Sequence, residues 1–197
     1  MFARRTATRI KKGTAQKKNR HERTPNYWNT RQDIIQIDVE NPGKGYKHFL
    51  KKRDVKQFLE ILPNREEIDI EFDAIVLEHG DFYRDGRYRD GVICITAWRK
   101  EMTMEYGLGY FYAHKSLFDK LGVRYTLKED YVICDFTENQ IKAYQLLHIL
   151  LHELGHHHDR INSKSKRRCG RGEKYAESYA FKYEEIIWNR YFEYFSF

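Results

Sequence analysis

Apolar positions along this chain follow two periods. Ile34–Val39 (IIQIDV) reads as a short strand, and Ile68–Leu77 (IDIEFDAIVL) alternates apolar with polar residues, as a half-buried strand does. Val92–Trp98 (VICITAW) reads as a strand returning from a hairpin loop over Asp81–Gly91, which is rich in Asp, Gly and Arg. Tyr131–Cys134 closes the strand set. Helical spacing appears first at Asp54–Leu62, where Val55, Phe58, Leu59 and Leu62 share a side and Pro63 stops the run. A second short helix is expected over Lys115–Leu121, ended by Gly122. The segment around Gly107 and Gly109 fits either a loop or an irregular strand.

The clearest helix is Thr137–Arg160. Thr137-Glu-Asn-Gln140 is a capping box, and Ile141, Tyr144, Leu147, Leu151 and Leu154 follow at helical spacing. After a polar loop, Glu173 opens another helical run in which Ala176, Tyr179, Ala180, Tyr183, Ile186 and Ile187 form an apolar stripe. Small Ala176 and Ala180 would let this helix approach the first closely. Together these elements predict an α+β domain: a small, mostly antiparallel sheet from Ile34–Val39, Ile68–Leu77, Val92–Trp98 and Tyr131–Cys134, packed on two helices.

Charge divides the chain. Residues 1–31 carry +9, whereas the remainder carries −2. A stretch so charged and so poor in apolar residues is expected to be a disordered tail, leaving 32–197 as the folded domain. Such a tail could hold nucleic acid or another polyanion by phosphate neutralisation, or simply be a solubilising terminus. The hydrophobic fraction of 41% permits one packed core. No apolar run approaches the roughly 20 residues that span a bilayer, so no membrane partner is expected. Three cysteines argue against a disulfide framework, and no secretory signal follows the N-terminal charges, so a reducing, cytoplasmic setting is expected.

The candidate chemistry lies in His152-Glu153-Leu154-Gly155-His156, an HExxH motif. On a helix, residues four apart share a face, so His152 and His156 can present two imidazoles to one ion while Glu153 reaches a water beside it. With nine histidines in the chain, chance would produce the motif in about 3% of such sequences, so its weight comes from its setting. Catalytic zinc usually takes a third protein ligand. Glu173 and Glu177, on one face of the next helix, could serve as ligand and as orienter of a ligand.

HELGH followed by EKYAESYA resembles the zincin metallopeptidases of the gluzincin kind. The likeness covers Thr137 to about Trp188, and nothing upstream points to a subfamily or substrate. It implies a minimal zincin-like fold and a zinc-dependent endopeptidase acting on a peptide or protein. It implies Zn2+ held by His152, His156 and Glu173, with Glu153 as general base. Glu177 takes the place of the family's Asp or Asn, which steadies a histidine ligand.

Other residues near the motif have two readings. Asp159 could accept a hydrogen bond from a ligand histidine or pair with Arg160 or Lys164. Arg171 could pair with Glu177 or a substrate, and Tyr179 could supply a phenol to an oxyanion or merely pack. His148 reads as a core-edge histidine, and His157 and His158 as helix-end residues set against the dipole. Cys169 reads as an ordinary small residue. Two rival functions remain: a nucleic-acid-associated protein docked by its tail, and a non-catalytic, zinc-stabilised interaction domain with Cys169 or His148 as fourth ligand.

Overall fold

A computed structural model describes residues 10–11, 14–15, 26–163 and 170–195. The disorder expected for most of the basic tail, and the reading of Cys169 and Lys164, lie outside the described residues. Within the tail, Ile10–Lys11 (β1) and Thr14–Ala15 (β2) pair as an antiparallel ladder.

A four-stranded sheet runs in the order β3, β5, β7, β6. Gln36–Val39 (β3) is followed by Tyr46–Lys47 (β4), then Lys52–Ile61 (α1) and Arg65–Ile68 (α2). This excursion carries the chain back so that Ala74–Glu78 (β5) lies parallel to β3. Gly86–Arg89 (β6) and Val92–Thr96 (β7) form a hairpin, with β7 inserted parallel to β5 and β6 left at the edge. The sheet is therefore mixed, not mostly antiparallel as expected. Every residue of β5 and β7 is buried, which suits apolar runs covered on both faces.

Two boundaries also move. Ile68 belongs to α2 rather than to a strand, because Glu71 takes a left-handed conformation (φ 55°) that interrupts the extended run before Ala74. The expected hairpin loop contains β6 itself.

Trp98–Arg99 (β8) pairs with β4. Thr103–Gly107 (β9), Arg124–Leu127 (β10) and Tyr131–Asp135 (β11) make a separate antiparallel sheet in the order β10, β11, β9. Tyr131–Cys134 thus belongs to this second sheet, not to the first. Leu108–Leu121 (α3) begins one turn and more before the expected start, drawn into helix by the buried positions Phe111, His114, Leu117 and Phe118. Gly122 closes it as predicted.

The capping box forms as read: Gln140 accepts the Thr137 N–H at 2.8 Å, and Thr137 accepts the Gln140 N–H at 3.3 Å. Glu138–Tyr144 (α4) passes through a π-helical segment, Gln145–Leu150, into Leu151–Asn162 (α5). Gly172–Tyr194 (α6) then packs along α5. A β-carbon on Gly155 would stand 2.7 Å from the Cα of Ala176, so the two helices meet where a glycine faces an alanine.

The main core lies between the inner face of the four-stranded sheet (Ile75, Leu77, Ile93, Ile95) and the helices. On the other face, Ala74, Val76, Val92 and Cys94 are covered by Tyr27. Tyr27 also donates to Asp38 at 2.9 Å, and Arg31 pairs with buried Asp73 at 2.5 Å. Residues 26–31, expected to belong to the tail, thus include two side chains that bond to the sheet and the loops beside it. Among the described residues, no helix is long and apolar enough to cross a membrane.

Candidate metal centre

Helix α5 presents His152 and His156 one turn apart, and the first turn of α6 brings Glu173 to both. The Nε2 of His152 lies 3.1 Å from Glu173 Oε2, and the Nε2 of His156 lies 3.4 Å from Glu173 Oε1. Glu177, one turn further on, lies 2.9 Å from the other nitrogen of His152, Nδ1.

The proton positions follow from these contacts. A carboxylate can only accept, so the His152 proton facing Glu177 sits on Nδ1. In a neutral ring this leaves a lone pair on Nε2, aimed at a second carboxylate. Two acceptors share a 3.1 Å gap only with a proton or a cation between them. Zn–N bonds of about 2.0–2.1 Å in a tetrahedron separate donor atoms by about 3.3 Å, close to the spacing at Glu173. The donor set and its orientation therefore fit a divalent ion such as zinc.

Electrostatics bear on whether a proton or a cation fills that gap. Burial opposes ionisation of both Glu177 and His152. The hydrogen bonds from His114 and His152 nevertheless hold Glu177 well below the usual carboxylate range. The bond to Glu177 and the nearby carboxylates raise His152, so without an ion its ring favours a proton on both nitrogens, and a cation would take the place of the one on Nε2. Burial lowers His156, leaving it the neutral form a metal requires.

Glu153 points to the other side, against the sheet. It is 6% exposed, and its Oε2 is buried without a hydrogen-bond partner among the described residues. Burial pushes its pKa up to about 7. Gly86 of edge strand β6 makes the room: a β-carbon there would meet Ile149 Cγ2 at 2.8 Å and Glu153 Oε1 at 2.9 Å. A cleft of about 630 Å3 opens above these groups, lined by β6 and the preceding loop on one side and by His152, Glu153, His156, Glu173 and Glu177 on the other.

The remaining sequence candidates take other positions. Asp159 is fully buried. Its Oδ2 accepts the N–H of Arg171 at 2.7 Å and of Gly172 at 3.4 Å, so it fixes the start of α6. Arg171 stands beside Asp159 and over Tyr175 rather than beside Glu177. Tyr179 is absent from the cleft lining and is buried against Tyr183 and His158; Tyr83, Tyr88 and Tyr110 are the tyrosines that border the cleft.

His157 is not a helix-end charge. Its Nε2 donates to the Ile68 carbonyl at 3.1 Å, and Tyr88 donates to its Nδ1 at 3.1 Å. His158 meets the Tyr175 hydroxyl at 2.7 Å. His148 is buried as expected, but it faces His114 of α3, a residue no motif singled out.

No family model matches the chain, and neither a curated protein nor a solved structure is detectably similar to it.

Proposed function

We propose that this protein is a zinc-dependent peptidase whose centre is built from His152, His156, Glu173 and Glu153. One observation supports the reading: Glu177 can accept the His152 proton at Nδ1, which frees Nε2 to share a cation with Glu173 and His156. Zinc, when bound, supplies Lewis acidity that polarises a carbonyl and makes water nucleophilic near neutral pH.

The chain's own residues then divide the work. His152, His156 and Glu173 hold the ion, and Glu177 keeps the His152 ring turned toward it. Glu153 takes the proton of the attacking water and delivers it to the leaving amine. A carboxylate raised toward neutrality by burial is matched to both transfers, and the charge of a bound dication would lower it from there. Strand β6 borders the cleft as the edge of its sheet and can hold an extended peptide by strand addition.

Two features favour a catalytic over a structural ion. The Glu173 side chain is 83% exposed at the cleft, and His148, a candidate fourth ligand, is turned to His114. The polyanion-binding alternative depends on a tail that lies mostly outside the described residues.

The test is zinc analysis together with cleavage of an unfolded protein mixture by the full chain. Wild type should carry zinc and cleave. Glu153→Gln should keep its zinc and lose about 10²–10⁴-fold in rate. A zinc-loaded wild type that cleaves nothing, or a Glu153→Gln variant that cleaves normally, overturns the proposal.

A further inference from the structure

Behind the HExxH centre, two more side chains converge on Glu177 of α6: His114 of α3 and His148 of the π-helical segment. His114 Nε2 lies 2.8 Å from Glu177 Oε1 and 2.9 Å from His148 Nε2, and His148 Nε2 lies 3.8 Å from Glu177 Oε2. Both histidines are 3% exposed.

The other nitrogen of His114 decides the chemistry. Its Nδ1 lies 2.8 Å from the Tyr110 carbonyl, which can only accept, so the ring proton sits on Nδ1. Without an ion, Nε2 donates a proton to the Glu177 carboxylate; a neutral ring that gives up that proton turns a lone pair toward Glu177 and toward a second imidazole nitrogen. An imidazole that donates one N–H to a backbone carbonyl and offers its other nitrogen to a shared point is the arrangement of a metal-ligating histidine.

His148 reaches that point from a π-helical turn. Such turns are rare inside α-helices and concentrate at functional sites, where the extra residue re-aims a side chain. His114 Nε2 lies 2.8 Å from Glu177 Oε1 and 2.9 Å from His148 Nε2, so a small outward movement of these groups reaches the roughly 3.3 Å edge of a tetrahedral zinc site.

We propose that His114, His148 and Glu177 form a second metal site, for a divalent transition-metal ion such as Zn2+. Two imidazoles and one carboxylate suit zinc better than the all-oxygen shells of Mg2+ or Ca2+. The site ties α3, the π-helical segment and α6 together. It shares Glu177 with the first centre: Oε1 serves the second ion while Oε2 orients His152. An ion here therefore steadies the carboxylate on which His152 depends, and its binding adds to folding stability. The site stands on its own geometry, whether or not the first centre hydrolyses peptides.

The test is a Zn2+ titration of the metal-free full chain against a chromophoric chelator, with His114→Gln, His148→Gln and His156→Gln alongside. Two equivalents in wild type, falling to one in each variant, are expected. A single equivalent lost in His114→Gln and His148→Gln but kept in His156→Gln would also support the second site, while overturning the zinc assignment of the first. A single equivalent lost only in His156→Gln overturns the proposal, as do two equivalents persisting in His114→Gln and His148→Gln. Should a variant fail to fold, ring-nitrogen NMR of wild type decides. The Nε2 signals of His114 and His148 must shift on Zn2+ addition, and signals that stay fixed overturn the proposal.

Discussion

Glu173 and Glu177, one turn apart on α6, face opposite nitrogens of the same ring: Glu173 Oε2 stands 3.1 Å from His152 Nε2, and Glu177 Oε2 stands 2.9 Å from His152 Nδ1. The pair cannot exchange roles. A residue on Nε2 is placed to share an ion with His156, whereas a residue on Nδ1 acts on that ion through the ring's tautomer and angle.

Removing each should therefore have different consequences. Glu173→Ala takes away a ligand, and activity should not be restored by moderate excess zinc. Glu177→Ala should raise the zinc concentration that half-restores hydrolysis by about 10–100-fold, the usual cost of losing a partner behind a ligand. Equal effects of the two substitutions, or a larger one at Glu177, would place the third ligand one turn further along α6.

Gly86 is the second point of control. The β-carbon of Gly86→Ala would lie 2.8 Å from Ile149 Cγ2, 2.9 Å from Glu153 Oε1 and 3.2 Å from the Cys94 carbonyl. The backbone oxygen belongs to β7 and cannot yield easily, so Glu153 must shift. Zinc content should be unchanged, stability should fall by about 1–3 kcal/mol, and hydrolysis should fall with the displaced base. Normal kinetics in Gly86→Ala would show that Glu153 tolerates the displacement.

How far this could be read from residues alone differs from element to element. The HExxH helix, its capping box and the helix after it are local patterns, and His152, His156, Glu153, Glu173 and Glu177 came with them. Strand direction is not local. AIVL in β5 and VICI in β7 are continuous apolar runs, as strands buried on both faces require, yet the flanking alternation suggested one-sided, antiparallel strands. Nothing in QLLHIL separates a π-helical turn from an α-helical one. His114 sits on a helix whose first turn contains Gly109, and only tertiary packing brings it to His148 and Glu177. Asp159 was legible as a carboxylate near the site, but its partner, the start of α6, lies across a loop.

Asp159 gives a prediction from that packing. Its Oδ2 accepts the backbone N–H groups of Arg171 and Gly172, and Glu173 is the next residue. Asp159→Ala would take away the acceptor of those two N–H groups and let the first turn of α6 fray. Stability should drop by about 1–2 kcal/mol, the range for losing a helix cap. Zinc affinity should drop as well, because Glu173 would no longer be held. A variant that loses stability while binding zinc as tightly as wild type would separate the cap from the centre.

His157 makes the domain sensitive to acid. Burial pushes its pKa down to about 4, the Ile68 carbonyl holds the proton on Nε2, and Nδ1 is occupied by the Tyr88 hydroxyl. That hydroxyl in turn accepts from Gly91 N and Arg160 Nε, so it has no second proton to give. In the unfolded chain the imidazole returns to about 6.5. Between these values the unfolded state takes up a proton that the folded state refuses. The contribution of His157 is therefore intact above pH 6.5, declines as pH falls toward 4, and levels off below that, for a total of about 3 kcal/mol. His157→Gln removes the titration. The variant should be less stable than wild type at pH 7, and the gap between them should narrow steadily as pH is lowered to 4.5, read by denaturant unfolding at each pH. A gap that stays constant across that range would mean that His157 keeps an ordinary pKa in the folded protein.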